Sequence, residues 1–297
     1  MTGVSGRLAF GIASVGIATY SVMDAVMKHL SIASGAYNAV MWRSVVGVAL
    51  LGPLFLARGG RWPGAAARRL HFLRGTAAGA SVLLFFWGLV RVPMAQGIAL
   101  TFLAPLIALY LAAAMLGERI RRSAIMGSLA AGVGVLVIAW GQATAGASDE
   151  ALLGSGAILL ASILYAYSLI LLRQQAQIAN PNEVALFTSI VLSGWLLVGS
   201  PLFGGWPDQS QMPAIGAAAL LGSISAMAMA WAYKHAEAQV LAPVEYTAFV
   251  WAALLGWLIF GEDVSMFTVA GAALIVAGCI IAVRTVTKGA PQTEAAA

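Results

Sequence analysis

Long apolar runs, separated by short polar or Pro/Gly-rich breaks, account for nearly the whole chain. Ten of them fall near residues 8–28, 36–57, 72–91, 94–116, 122–142, 152–173, 183–202, 212–234, 240–260 and 265–284. Each approaches the ~20 residues an α-helix needs to cross a bilayer. None alternates apolar and polar residues at every second position, as membrane barrel strands do, so helices are predicted throughout. One run, Leu241–Glu262, reads LAPVEYTAFVWAALLGWLIFGE and carries both Pro243 and a carboxylate, Glu245. An ionisable group inside a membrane segment costs roughly 2.5–3.5 kcal/mol on insertion scales, and by default it marks a pathway or a site.

Composition sharpens this picture. Of the 297 residues, 61% are hydrophobic and only 9% charged, with a mean hydropathy of +0.90. So few charges cannot cover a soluble surface, so the sequence predicts an all-α membrane protein of ten transmembrane helices. Arg7 followed by an apolar run and small residues resembles a signal peptide. The run is as long as a full span, contains Asp24 and Lys28, and precedes further spans, so a retained first helix is expected. The net charge of +5 does not point to nucleic acid. With a cytoplasmic N-terminus, thirteen of the sixteen basic residues fall on inner loops and ends, including Arg58, Arg61, Arg68, Arg69, Arg74, Arg119, Arg121, Arg122 and Lys288. That bias predicts both termini on the cytoplasmic side. The single Cys279 lies in an apolar run and reads as packing; the scattered histidines form no metal motif, and no cofactor is expected. A tail over 286–297 is expected to be a disordered cytoplasmic extension.

An internal repeat organises the ten runs. Counting 144 positions on from Trp87 reaches Trp231, from Gly117-Glu118 reaches Gly261-Glu262, from Gly127 reaches Gly271 and from Gly134 reaches Gly278. At 147, Tyr20-Ser21 falls on Tyr167-Ser168. The halves are therefore 1–144 and 145–285, five helices each. An odd number of helices makes the second half enter the membrane inverted. The loops agree: Gly117-Glu118 is followed by Arg119, Arg121 and Arg122, whereas Gly261-Glu262 is followed by Asp263 and no base. Inverted repeats enclosing a midplane site are the architecture of alternating access.

Two five-helix halves, each with a Gly-Glu after its fourth helix and a small-residue-rich fifth helix (GSLAAGVGVLVIA, GAALIVAGCIIA), resemble the EamA-type drug/metabolite transporter superfamily over residues 8–285. The wording APVEYTAFVWAALLGWLIFGED is similar to the YddG-type amino-acid exporters. That resemblance implies a bacterial inner-membrane exporter of aromatic and other neutral amino acids, with a central cavity between the halves. The family often places a proline thirteen residues before the Gly-Glu glutamate; Pro105 fills that position in the first half, but Phe249 stands there in the second.

Several residues are candidates for the transport path. Glu245, whose counterpart is Thr101, either faces the cavity to meet a substrate ammonium or a proton, or is a hydrogen-bonded carboxyl locking its helix to a neighbour. Asp24, Lys28 and Arg43 fall in the outer half of the first two helices, and Lys28 follows Asp24 by four residues on one helical face. They read as a charge network that holds or gates the outer end. Pro105 and Pro243 free backbone carbonyls and either bend their helices or kink them statically. Tyr20, Trp87, Tyr165, Trp231 and Tyr246 sit inside their segments, where they line a cavity or pack. For a zwitterion, Glu245 would supply the acid and Gln96 or Asn38 the donor. The glycine pairs on the fifth helix of each half make faces for close packing, within a protomer or between two, so a monomer or weak homodimer is expected.

Transport of amino acids is the expected function, with export of drugs or other metabolites as the alternative. An intramembrane enzyme is the remote one, since no pair of aspartates, Ser/His pair or His/Glu metal set comes together in the apolar runs. The expected partners are the small-molecule substrate and the lipid bilayer.

Overall fold

A computed structural model describes residues 6–116, 120, 122–146, 148–175, 178–179, 181–235 and 238–284. The first-half Gly-Glu motif (Gly117-Glu118), Arg119, Arg121 and the tail over 286–297 lie outside the described residues. The helices are α1 (Gly6–Ser34), α2 (Ala36–Ala57), α3 (Ala65–Leu89), α4 (Met94–Thr101), α5 (Ala104–Leu116) and α6 (Arg122–Thr144). They continue as α7 (Asp149–Gln175), α8 (Pro181–Phe203), α9 (Met212–His235), α10 (Ala238–Phe260) and α11 (Met266–Arg284). No strand occurs among the described residues. Eight helical stretches are long and apolar enough to cross a membrane, with α4 and α5 counted together as Met94–Met115. Two shorter apolar helices, Val244–Phe260 and Met266–Ile281, complete the set. Each of the ten apolar runs is thus a helix or, for 94–116, a broken one.

Two helices outrun their apolar stretches for identifiable reasons. α1 continues past Lys28 to Ser34 because Lys28 is buried against partners from other segments. α3 starts at Ala65, ahead of residue 72, on alanines that favour helix, with Arg68 and Arg69 turned outward. On the outside, Leu56, Leu136, Trp140, Val198 and Leu202 are all exposed. So much exposed apolar side chain is tolerable only where lipid covers it.

The helices pack in matched pairs. α3 lies on α7 and α1 on α9; α7 touches α4 and α5, while α1 touches α10; α2 meets α8 and α6 meets α11. Two hydrogen bonds repeat the match in detail. Ser81 Oγ donates to the Ala161 carbonyl at 2.8 Å, across α3 and α7. Ser225, 144 positions on from Ser81, donates to the Gly16 carbonyl at 2.8 Å, across α9 and α1. α6 and α11 approach closely through glycine: a Cβ on Gly134 would sit 2.5 Å from the Gly271 carbonyl oxygen, and one on Gly271 would sit 2.5 Å from that of Gly134. These glycine faces are therefore spent on packing within one chain.

The break between α4 and α5 falls at Phe102–Leu103. Pro105 stands in the first turn of α5, where a missing N–H leaves no helical bond unmade. The carbonyl of Phe102 accepts from Cys279 Sγ at 3.2 Å, so the buried thiol on α11 closes a group that the break leaves open. α10, by contrast, is continuous from Ala238 to Phe260, through the position of Pro243.

Candidate functional site

At one end of the bundle, Lys28 is the largest fully buried side chain among the described residues, 2% exposed. Its ammonium pairs with Glu262, donates to the Val92 carbonyl at 2.8 Å and lies 5.1 Å from the centre of the Phe260 ring. The other oxygen of Glu262 accepts from the Met94 backbone N–H at 2.7 Å, capping the start of α4. Gly261, with φ of 64°, turns the chain at the end of α10 and delivers Glu262 to this place. Glu262 thus ties α1, the α3–α4 connection and the end of α10 into one knot. The sequence places Lys28 with Asp24; in the structure its carboxylate partner is Glu262.

Deeper in the bundle lies a different kind of cluster. Asp24 on α1 and Arg43 on α2 act on one another electrostatically, and both act on Tyr20. Tyr20 on α1 and Tyr165 on α7 also sense each other. Tyr165 in turn is within the field of Glu245 on α10 and Arg74 on α3. Asp24 is 3% exposed, yet Tyr20 and Tyr165 are each 48% exposed. Two half-exposed phenols thus lie amid charged groups from α1, α2, α3 and α10. Arg74 donates to Thr188 Oγ1 at 2.6 Å, while its Nε and that of Arg43 are buried without hydrogen-bond partners.

The remaining sequence candidates have other surroundings. Thr101 Oγ1 bonds back to the Ile98 carbonyl at 2.7 Å. Trp87 is covered by the Arg91 guanidinium, 3.6 Å from its ring centre. Trp231 packs against Ala13, Leu241 and Val244. Tyr246 meets Phe102 edge-on at 5.3 Å, beside the α4–α5 break that Pro105 follows. The two donors proposed for a zwitterion are also engaged: Gln96 donates to Ser155 Oγ at 3.0 Å, and Asn38 holds Ser34 and Gly205 at 2.9 Å each. Trp87 and Trp231 hold matching places in the sequence repeat, but Trp87 is partly exposed under Arg91 whereas Trp231 packs into a core cluster.

At the other end of the bundle is a cluster that the sequence did not single out. His71 on α3 is 2% exposed. Its Nε2 lies 3.0 Å from Glu183 Oε1 on α8, its Nδ1 faces the Gln175 amide on α7, and Phe187 stacks on the ring at 4.7 Å. A signal was present: His71, Arg74 and Gly75 share one helical face, and Gly75 marks that face as the one that packs. Among the described residues no three His, Cys, Asp or Glu side chains converge as metal ligands.

A multi-pass helical bundle with lipid-compatible walls and a cluster of tyrosines and charged groups inside it has the build of a small-molecule carrier. The chain belongs to the EamA-like transporter family, whose profile matches it twice, over residues 6–140 and 152–284. It is 28% identical over 280 residues to the pseudopaline exporter of Pseudomonas aeruginosa, covering 90% of this chain and 93% of that one. It is 22% identical over 275 residues to the riboflavin transporter of Brucella anthropi, covering 89% and 94%. A protein of known crystal structure shares the fold with a TM-score of 0.63 at 22% identity, over 96% of this chain and 99% of that one. The protein is therefore a multi-pass integral membrane transporter of small metabolites.

Proposed function

We propose that this transporter exports amino acids and chemically similar zwitterionic metabolites across a bacterial inner membrane. It works by alternating access, with two inverted five-helix halves and both termini cytoplasmic. The observation that carries the reading is the pair Tyr20 and Tyr165. Each comes from the first helix of one half, each is 48% exposed, and each lies within reach of both acidic and basic side chains. A space of that composition suits a solute with both signs of charge and an apolar or aromatic side chain. Tyr20, Tyr165 and Glu245 line it; Trp87, Thr101, Pro105, Trp231 and Tyr246 shape the helices around it. The matched helix pairs and the double family match support the inverted repeat. Lys28 and Glu262 hold the outer end shut.

The relatives named for pseudopaline and riboflavin mark the competing substrate classes. Counterflow in proteoliposomes, using labelled phenylalanine chased by unlabelled amino acids, riboflavin and apolar drugs, tests the reading. Competition by amino acids is the expected result; competition by riboflavin or apolar drugs without amino acids would overturn it. In the same assay Glu245→Gln alters the pH dependence of flux if the carboxyl carries a proton, and leaves it unchanged if Glu245 serves the helix packing.

A further inference from the structure

We infer that Asp24 and Arg43 form the head-group station of the transport path, Asp24 taking the ammonium and Arg43 the carboxylate of a zwitterionic amino acid. The inference rests on the transport reading and deepens it. Asp24 stands ten residues before the end of α1, and Arg43 seven residues after the start of α2. At 1.5 Å per residue both lie about 10–15 Å inside the same end of the bundle. They act on one another electrostatically. Yet no ion pair closes between them, and among the described residues neither Asp24 nor Arg43 makes a hydrogen bond.

Two opposite charges on neighbouring helices in an apolar bundle ordinarily close into a bidentate pair, because each is costly to bury alone. Here they are held apart and unpartnered, beside the half-exposed ring of Tyr20. A ligand offering an ammonium and a carboxylate one carbon apart satisfies both at once, and its side chain then lies towards Tyr20 and Tyr165.

The test is competition against labelled phenylalanine in proteoliposomes, with phenylpropionate (no ammonium) and phenethylamine (no carboxylate) as analogues. In the wild type each analogue competes at least about tenfold more weakly than phenylalanine, since each leaves either Asp24 or Arg43 unmet. Asp24→Asn weakens phenylalanine at least about tenfold and leaves phenylpropionate unchanged; Arg43→Gln does the same with phenethylamine in its place. The double variant D24N/R43Q separates this site from a structural charge pair. A structural pair neutralised on both sides keeps transport, whereas a head-group station loses it in a protein that still elutes as one sharp species. Wild-type counterflow with variants at normal flux, or analogues that compete as well as phenylalanine, overturns the inference and leaves the transport reading standing. Absence of counterflow for every amino acid in the wild type overturns both.

Discussion

Lys28 and Asp24 lie one turn apart on α1, both nearly fully buried, and their surroundings differ in kind. Lys28 has a carboxylate, a carbonyl and an aromatic ring. Asp24 has the field of Arg43 and no hydrogen bond among the described residues. A buried charge with a complete set of partners belongs to the scaffold. One that its own protein leaves unmet is kept for something that arrives.

The largest test of this contrast is Glu262→Ala. It strands the buried ammonium of Lys28 and uncaps α4, which costs about 3–5 kcal/mol for the pair and about 1 kcal/mol for the cap. Thermal unfolding in detergent should show a larger drop than any other single substitution in the buried polar clusters. Replacing both partners with methionine (K28M/E262M) should recover most of the loss, because removing a buried pair together costs far less than breaking it. Asp24→Asn should leave the unfolding temperature unchanged or raise it. A fall comparable to that of Glu262→Ala would make Asp24 part of the scaffold and erase the distinction.

The two ends of the bundle sharpen the comparison further. The His71–Glu183–Gln175 cluster closes the end opposite Lys28 with a neutral amide and a histidine in place of a lysine. Gln175 stands 147 positions after Lys28, so the corresponding ends of the two first helices are both buried and polar. Glu183→Ala removes one hydrogen-bonded partner of His71 and should cost about 1–3 kcal/mol, less than Glu262→Ala. Proteolysis in the α7–α8 connection should rise before the whole protein unfolds.

How much of this was legible beforehand depended on range. The apolar runs gave the helices because membrane-length hydrophobicity is a local property. The glycine spacing in α6 and α11 marks faces for close packing but leaves the partner open; the structure shows that the two faces meet each other. Partners were another matter. Spacing on α1 puts Lys28 and Asp24 on one face, but it says nothing of a carboxylate 234 residues away, delivered by a turn at Gly261. His71 lies just outside the apolar run that starts at residue 72, and α3 begins well before it. The aromatics divided on what packs over them, which no pattern within one segment records.

The smallest expected effect tests the glycine faces. Gly134 and Gly132 are two residues apart on α6 and differ only in what lies before them. A Cβ at 134 would meet the Gly271 carbonyl at 2.5 Å and Ile275 at 2.8 Å, whereas nothing lies within 4 Å of one at 132. Gly134→Ala must therefore push α11 away and should cost about 1–3 kcal/mol. Gly132→Ala should gain about 0.4–1 kcal/mol from a stiffer unfolded chain. Because the contact is reciprocal, Gly271→Ala should match Gly134→Ala, and the double variant should cost less than the sum, since one separation of α6 from α11 accommodates both methyl groups. Full additivity in thermal unfolding would mean that the two helices do not move as a pair.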